Sequence, residues 1–457
     1  MNINLTSIKH MHMIGIGGIG MSGLASILSD RDIKISGSDL KNNNLIGKLK
    51  KKGCTITIGH GKINGSPDAV VRSFSIKDNN PEIIEAKNRK IPVFERMDLL
   101  KSIIESKKRS IAVSGTHGKT TTTAMISYVL DKAGLDPTVL VGGEMDYFEG
   151  NAKSGQSDIL VSEVDESDGL IKDIKARYSI ITNLEKEHME HYKNMRNLLF
   201  TFRAFAEGAK NGIIFYNNRD RNIEKILPKQ ANRIVSVGFS DKADIYYASL
   251  KAKGLKTEFT CFLKSKRLGR VVLNVPGAHN AFNALMAIAC ALEFGIQFDK
   301  IKKILESFKG VKRRFEIRGT PNDITLIEDY AHHPTEIKAV LEIARTMASK
   351  KVIAIFQPHR YSRTSYLKEH FASAFQETDE LILTDIYAAS EKPIKGFDVK
   401  CLYNSIKNSG TKKVQLIPKN EIPRRLKNIV KPGDVLLVLG AGDINGIISD
   451  IKKVLKG

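Results

Sequence analysis

Residues 110–125 read SIAVSGTHGKTTTTAM, and their order suits phosphate chemistry. An apolar strand runs into Gly115, Thr116, His117 and Gly118, and Lys119, Thr120 and Thr121 then open a helix. Backbone N–H groups at a helix start hold anionic oxygens. Lys119 can place a point charge on the β- and γ-phosphates of ATP, and Thr120 can offer a hydroxyl to Mg²⁺. The spacing is not Walker A, because that pattern needs a glycine where Val113 stands.

A second turn of nucleotide type lies near the amino terminus. Gly15-Ile16-Gly17-Gly18-Ile19-Gly20 is a full G-x-G-x-x-G between a strand and a helix, and Asp39 closes the next strand. Such glycines let a pyrophosphate approach the helix start, with the acid placed for a ribose. Alone, this turn fits an NAD-dependent oxidoreductase as readily as anything else. A chain with both turns fits better with an ATP-driven ligase acting on a nucleotide-activated substrate.

Acids and cations follow at other strand ends. In VSEVDESDG, Glu163 is the first acid after an apolar strand and the first choice for Mg²⁺, with Asp165, Glu166 and Asp168 behind it. In ITNLEKEHMEH, a strand leads to Asn183 and then to His188 and His191, which read either as structural or as holding a second metal. Further on, Arg313, Arg314 and Asp329 precede His332 and His333, and FQPHRYSRT carries His359, Arg360 and Arg363. Paired arginines suit a carboxylate, which suggests a closing domain that holds a small acid.

Short apolar strands alternating with amphipathic helices must carry these groups, predicting α/β layers with mostly parallel sheets. The region 241–275 reads instead as antiparallel strands attached to the central unit. Composition breaks at 105–109 and 308–319 predict three domains, 1–106, 107–312 and 313–457. The 457 residues carry a formal charge of +22, yet lysines are spread throughout and no aromatic platform accompanies them. No nucleic-acid partner is therefore expected. The four cysteines are scattered, and no 18-residue apolar run or signal segment is seen. A cytoplasmic protein with reduced thiols and no membrane segment is expected.

Seven motifs occur in order: IGIGGIGMSGLA, SGTHGKTTTT, EVDESD, HNAFNA, RRFE, DYAHHPTE and FQPHRYSRT. Together they resemble the Mur ligases of peptidoglycan synthesis, over essentially the whole chain. That family's ATP loop has the same G-T-x-G-K-T form. The resemblance implies three domains: a Rossmann-like one for the UDP part of UDP-N-acetylmuramate, a P-loop-type one for MgATP, and a C-terminal Rossmann-like one. The implied reaction activates the lactyl carboxylate as an acyl phosphate, which the amine of L-alanine attacks.

The resemblance also assigns residues. Lys119 and Thr120 would serve phosphates and metal, Glu163 the first Mg²⁺ and His188 the second. Asn280 and Asn283 would sit at the adenine, and Arg314 and Asp329 would reach ATP from the C-terminal domain. Gly15, Gly17, Gly18, Gly20, Asp39 and Ser73 would line the UDP-sugar site, and His333, Arg360 and Arg363 the alanine side. The chain departs from the family in reading Glu187 and Glu190 where aspartates are usual. Leu199 and Phe200 stand near the place of the carbamylated lysine of several sister ligases, and VVRSFSI around Ser73 replaces smaller residues. Within the class, the murein tripeptide ligase of cell-wall recycling is the nearest rival. A monomer or a homodimer is expected.

Overall fold

The computed structural model describes residues 3–411 and 413–456. Positions 1, 2, 412 and 457, which belong to the expected terminal domains, lie outside the described residues.

Runs such as Met11–Ile14, Ile111–Val113, Val352–Phe356 and Val435–Leu439 are fully or almost fully buried. Strands apolar on both faces need helices on both sides, and the chain supplies them in three sheets. The first sheet is wholly parallel, in the order Thr55–Ile58, Lys34–Asp39, His10–Ile14, Ala69–Arg72, Val93–Glu95. The third has six strands, ordered Glu316–Gly319, Thr325–Asp329, Val435–Leu439, Val352–Phe356, Glu380–Leu383, Val414–Leu416. Of these only Glu316–Gly319 pairs antiparallel.

The central sheet has ten strands. Its parallel core runs Arg233–Gly238, Ile213–Asn217, Tyr178–Ile181, Arg109–Ser114, Ile159–Glu163, Thr138–Met145. At one end Ile245–Lys253, Lys256–Leu263 and Lys266–Leu273 form the antiparallel extension that the sequence predicts. At the other, Thr138–Met145 turns back into Gly150–Lys153. Sequence pattern does not announce this hairpin, because Gly142 and Gly143 interrupt it. A Cβ at Gly142 would sit 2.3 Å from a Glu163 oxygen. The glycine therefore makes room for a site carboxylate.

The first two sheets share one apolar core. The helix Ile19–Ser29 packs on the hairpin so closely that a Cβ on Gly23 would lie 2.3 Å from Leu140, and Asn151 Nδ2 donates to Ile19 O at 2.5 Å. Leu24, Leu140 and Leu160 belong to this core. The third sheet has separate cores on its two faces and meets the central unit through the polar contacts described next. Among the described residues no helix is long and apolar enough to cross a membrane.

Candidate active site

The central turn follows the strand Arg109–Ser114 and ends on Gly118, which caps the helix Lys119–Lys132 with φ 80°. Gly115, at φ 136°, touches the neighbouring strand end: a Cβ there would lie 2.2 Å from Thr182 Oγ1. Asn183 pins the loop by accepting from His117 N at 2.8 Å and donating to His117 O at 2.9 Å. Behind the turn, Thr122 Oγ1 donates to Asn283 Oδ1, and Asn283 Nδ2 donates to Asn280 Oδ1, both at 3.1 Å.

Lys119 folds over its own loop. Its Nζ donates to Gly115 O at 2.5 Å and Thr116 O at 3.0 Å, and it lies 2.9 Å from Glu166. Burial works against its charge, but Glu166, Asp165 and Glu163 more than offset this and raise its pKa. Thr120 Oγ1 donates to Glu163 Oε1 at 3.1 Å, and Glu163 Oε2 accepts from Gly142 N at 2.8 Å. A hydroxyl and a carboxylate side by side are hard oxygen donors that fit Mg²⁺. A second group, Asp165, Glu166 and His188, brings its ligand atoms within 4.8 Å of one another. Burial raises the Glu166 carboxyl, while Asp165 is held low, against its own burial, by Lys119 and His188. His191, by contrast, is exposed and edge-on to Tyr192, away from this group.

A cavity of about 250 Å³ opens beside the loop, walled by Gly118, Thr121, Phe239, His279, Asn280, Phe282, Asn283 and Arg314 among others. Phe239 and Phe282 stack at 5.2 Å. His279 is brought down to about 4 by burial and by Arg314, so it is neutral near pH 7. Of these rings Phe239 lies outside every motif, while His279 and Phe282 fall inside HNAFNA without a role assigned from sequence; the three meet only through the fold.

From the third sheet, Arg314 Nη2 reaches Thr120 Oγ1 at 3.4 Å and stacks on Tyr330. Asp329 is a wall of the cavity, yet both its oxygens accept from backbone, Phe315 N and Ala331 N, each at 2.6 Å. Burial pushes this carboxyl up to about 6. The motif HHPTE forms a capped helix start at Pro334–Met347, with Glu336 accepting from His332 N and His333 N.

The two arginines expected on the amino-acid side lie here as well, but both are already paired across the interface. Arg363 Nε donates to Glu187 at 2.7 Å with both side chains buried, and Arg360 Nη1 donates to Glu190 at 2.8 Å. Glu187 thus faces the third domain, and Arg363 with His188 holds its pKa low despite burial. His333 Nε2 lies 3.6 Å from Glu187, and His117 Nδ1 lies 3.0 Å from Glu336. Burial opposes protonation of His117, but Glu185 and Glu336 raise it to about 9. The links of Arg360, Arg363 and His117 join residues 170 or more positions apart, beyond any local pattern.

The first turn is a different environment. Gly15 and Ile16 donate to Ser38 O. Asp39 Oδ2 accepts from Gly17 N at 2.9 Å, and Oδ1 from Lys41 N, so the carboxylate braces the turn. Ser73 packs on Gly15, its Cβ being 3.0 Å from where a Gly15 Cβ would be. Arg96, which no motif signals, lies over Gly20 and 3.9 Å from Asp168 of the central unit.

The chain matches three family models in succession: the Mur ligase family catalytic domain over residues 10–108, the Mur ligase middle domain over 113–291, and the Mur ligase glutamate ligase domain over 313–442. It is 42% identical over 447 residues to UDP-N-acetylmuramate–L-alanine ligase of Trichlorobacter lovleyi, covering 96% of this chain and 97% of that protein. The crystal structure of UDP-N-acetylmuramate-alanine ligase from Thermotoga maritima superposes with a TM-score of 0.83 at 31% identity, covering 98% of each chain. A murein peptide ligase from Psychrobacter arcticus shares the fold, with a TM-score of 0.73 at 24% identity over 98% of this chain and 99% of that one. Its two glycine turns and the domains that carry them are thus those of a known lineage, and the chain belongs to the Mur ligase family.

Proposed function

We propose that the protein joins L-alanine to UDP-N-acetylmuramate at the expense of ATP, releasing ADP and phosphate, as a step of peptidoglycan synthesis in the cytoplasm. The observation that carries this reading is the convergence of Glu163 and Arg314 on the Thr120 hydroxyl, next to Lys119, beside a cavity that Thr120 and Arg314 line. The near full-length identity to ligases of that name supports the choice of substrates. We assign the three spans 1–106, 107–312 and 313–457 to the nucleotide sugar, to ATP, and to closure with amino-acid binding. The protein acts as a monomer or homodimer, which sedimentation distinguishes.

The mechanism follows from what these groups can do. The adenine enters the cavity beside Asn280 and Asn283, and the triphosphate lies along the loop from Gly115 to Thr121. Backbone N–H groups at the helix start and Lys119 neutralise the β- and γ-phosphates. Arg314 adds charge from the third domain only when that domain is closed. Thr120 and Glu163 would hold one Mg²⁺ and His188, with Asp165 and Glu166, a second; the metal supplies charge neutralisation of the phosphates when bound. The lactyl carboxylate, tethered by the nucleotide at the first turn, then meets the γ-phosphorus and displaces ADP. The amine attacks the resulting carbonyl, phosphate leaves, and the amine gives up a proton. His333, Arg360 and Arg363 surround the amino acid, so its carboxylate must exchange with Glu187 or Glu190 for an arginine. Holding the partners in line is the protein's main contribution.

A coupled ADP-release assay tests this reading. Turnover is expected only with UDP-N-acetylmuramate and L-alanine together. Turnover with L-alanyl-γ-D-glutamyl-meso-diaminopimelate in place of L-alanine would instead make the enzyme a recycling ligase. Reduction of added NAD without ATP consumption would reinstate the oxidoreductase reading, which the use of Asp39 as a brace disfavours.

A further inference from the structure

The contact between the third domain and the phosphate loop leaves ring nitrogens unpaired. His117 Nε2 and His333 Nε2 are buried with no hydrogen-bond partner among the described residues. The two rings lie 4.6 Å apart, centroid to centroid, and Glu185 Oε2 is 3.5 Å from His117 Nε2. Together, His117, Glu185 and His333 bring one ligand atom each within 4.8 Å of the other two. Glu187 Oε2, 3.6 Å from His333 Nε2, is likewise buried without a hydrogen bond. An unpaired buried polar atom is costly, so several in one place call for an occupant.

The ring orientations favour a cation. Glu336 Oε1 is 3.0 Å from His117 Nδ1. A carboxylate behind one ring nitrogen keeps the proton there and leaves the other nitrogen free to bind a metal. The ion displaces the proton that Glu185 and Glu336 otherwise stabilise on His117. At His333, Thr335 N donates to Nδ1 at 3.3 Å. Binding moves the His333 proton to Nδ1 and gives up this long contact. Glu336 still caps the helix, by accepting from His332 N and His333 N.

The donor set selects the ion. Two imidazoles and a carboxylate suit a divalent transition metal such as zinc, whereas Mg²⁺ prefers oxygen. Tetrahedral zinc, with bonds of about 2.0–2.1 Å, sets its ligand atoms roughly 3.3 Å apart. The His117–Glu185 pair is already near that separation. The His333 ring has to approach by roughly 1.5 Å at most. Glu185 is 41% exposed, which gives an ion a way in. The oxygen-rich group of Asp165, Glu166 and His188 shares no residue with this one.

We propose that His117, Glu185 and His333 form a site for a divalent transition-metal ion of the zinc type, which fastens the third domain to the phosphate loop and slows turnover. His117 and Glu185 belong to the central unit and His333 to the third sheet's domain. One ion therefore ties together two bodies that must separate for products to leave.

Calorimetric titration of the chelator-treated full chain with Zn²⁺ in excess Mg²⁺ tests the site, with Co²⁺ as a coloured substitute whose visible bands report nitrogen ligands. Saturable zinc binding is expected, weakened at least tenfold in His333→Ala and in Glu185→Gln. In His188→Ala, which alters the other group, it should stay within twofold of wild type. Because Glu185 is partly exposed, Glu185→Gln keeps the test available should His333→Ala not fold. In the ADP-release assay, saturating zinc should lower kcat at least fivefold, and Glu185→Gln should need at least tenfold more zinc for the same loss. Absence of saturable binding, or zinc affinity lost in His188→Ala and kept in Glu185→Gln, overturns the site. Zinc bound with ADP release unchanged overturns the fastening. Zinc binding as expected in a protein that releases no ADP with any substrate would leave the site standing and sink the ligase reading.

Discussion

The two glycine turns look alike in the sequence and differ in what surrounds them. The first, Gly15–Gly20, is braced mainly from within its own sheet, by Ser38, Asp39 and Asn43. It receives a cation, Arg96, from the start of the helix Arg96–Glu105. The second, Gly115–Gly118, is held by Asn183 and Asn283, opposed by a row of acids, and overlaid by Arg314 from another domain. A site that only has to hold a tethered group can be completed locally. A site where charge moves between phosphate, carboxylate and amine needs groups from a body that can close over it.

That contrast is open to measurement, and the largest effect should come from Lys119. Lys119→Ala is expected to lower kcat by about 10²–10³-fold, while calorimetry should show UDP binding at the first turn within twofold of normal. Equal loss at both sites would mean that the turns are not independent.

Glycine replacement should separate them next. Gly115→Ala places a Cβ 2.2 Å from Thr182 Oγ1 and 3.0 Å from Asn183 O, at φ 136°. A loss of about 2–4 kcal/mol in denaturant unfolding is expected. At Gly18 the nearest atom is Gly15 O at 3.5 Å, with φ −65°, so Gly18→Ala should stay within about 0.5 kcal/mol. Reversed sensitivities would refute this account of the two loops.

The domain link at the second turn should respond to pH. His117 is raised from 6.5 to about 9 by Glu185 and Glu336. A raised histidine stabilises fully below its unfolded value and loses that contribution as pH rises through the folded one. Thermal unfolding of wild type and His117→Asn should therefore differ most below pH 6.5 and converge above about 9. A constant difference across that range would place the link elsewhere.

The smallest effect belongs to the first turn's acid. Asp39→Asn keeps an acceptor for Gly17 N, so UDP affinity should fall by about fivefold or less. A loss of two orders of magnitude would show that Asp39 contacts the ligand itself.

Much of this architecture is legible in the order of residues alone. Strand and helix periods are local properties, and glycines, a lysine and threonines at fixed offsets announce a phosphate turn wherever they fall. The α/β class, the antiparallel extension at 241–275 and the two glycine turns between strand and helix follow from residues within a few positions of one another. The hairpin Thr138–Lys153 was not legible, because Gly142 answers to Glu163, some twenty residues away, and Gly143 to Val311 and Thr120.

The amino-acid sequence by itself determined which segments become strands and helices and which turns can hold phosphate, since those depend on neighbours along the chain. Only the tertiary structure decided that Asp329 is spent on backbone N–H groups, that Glu187 meets Arg363, and that Glu336 faces His117. The physical reason is that a buried charge or ring nitrogen takes whichever partner the packing of sheets brings within about 3 Å, and that choice is made by distance in space, where spacing in the chain carries no information.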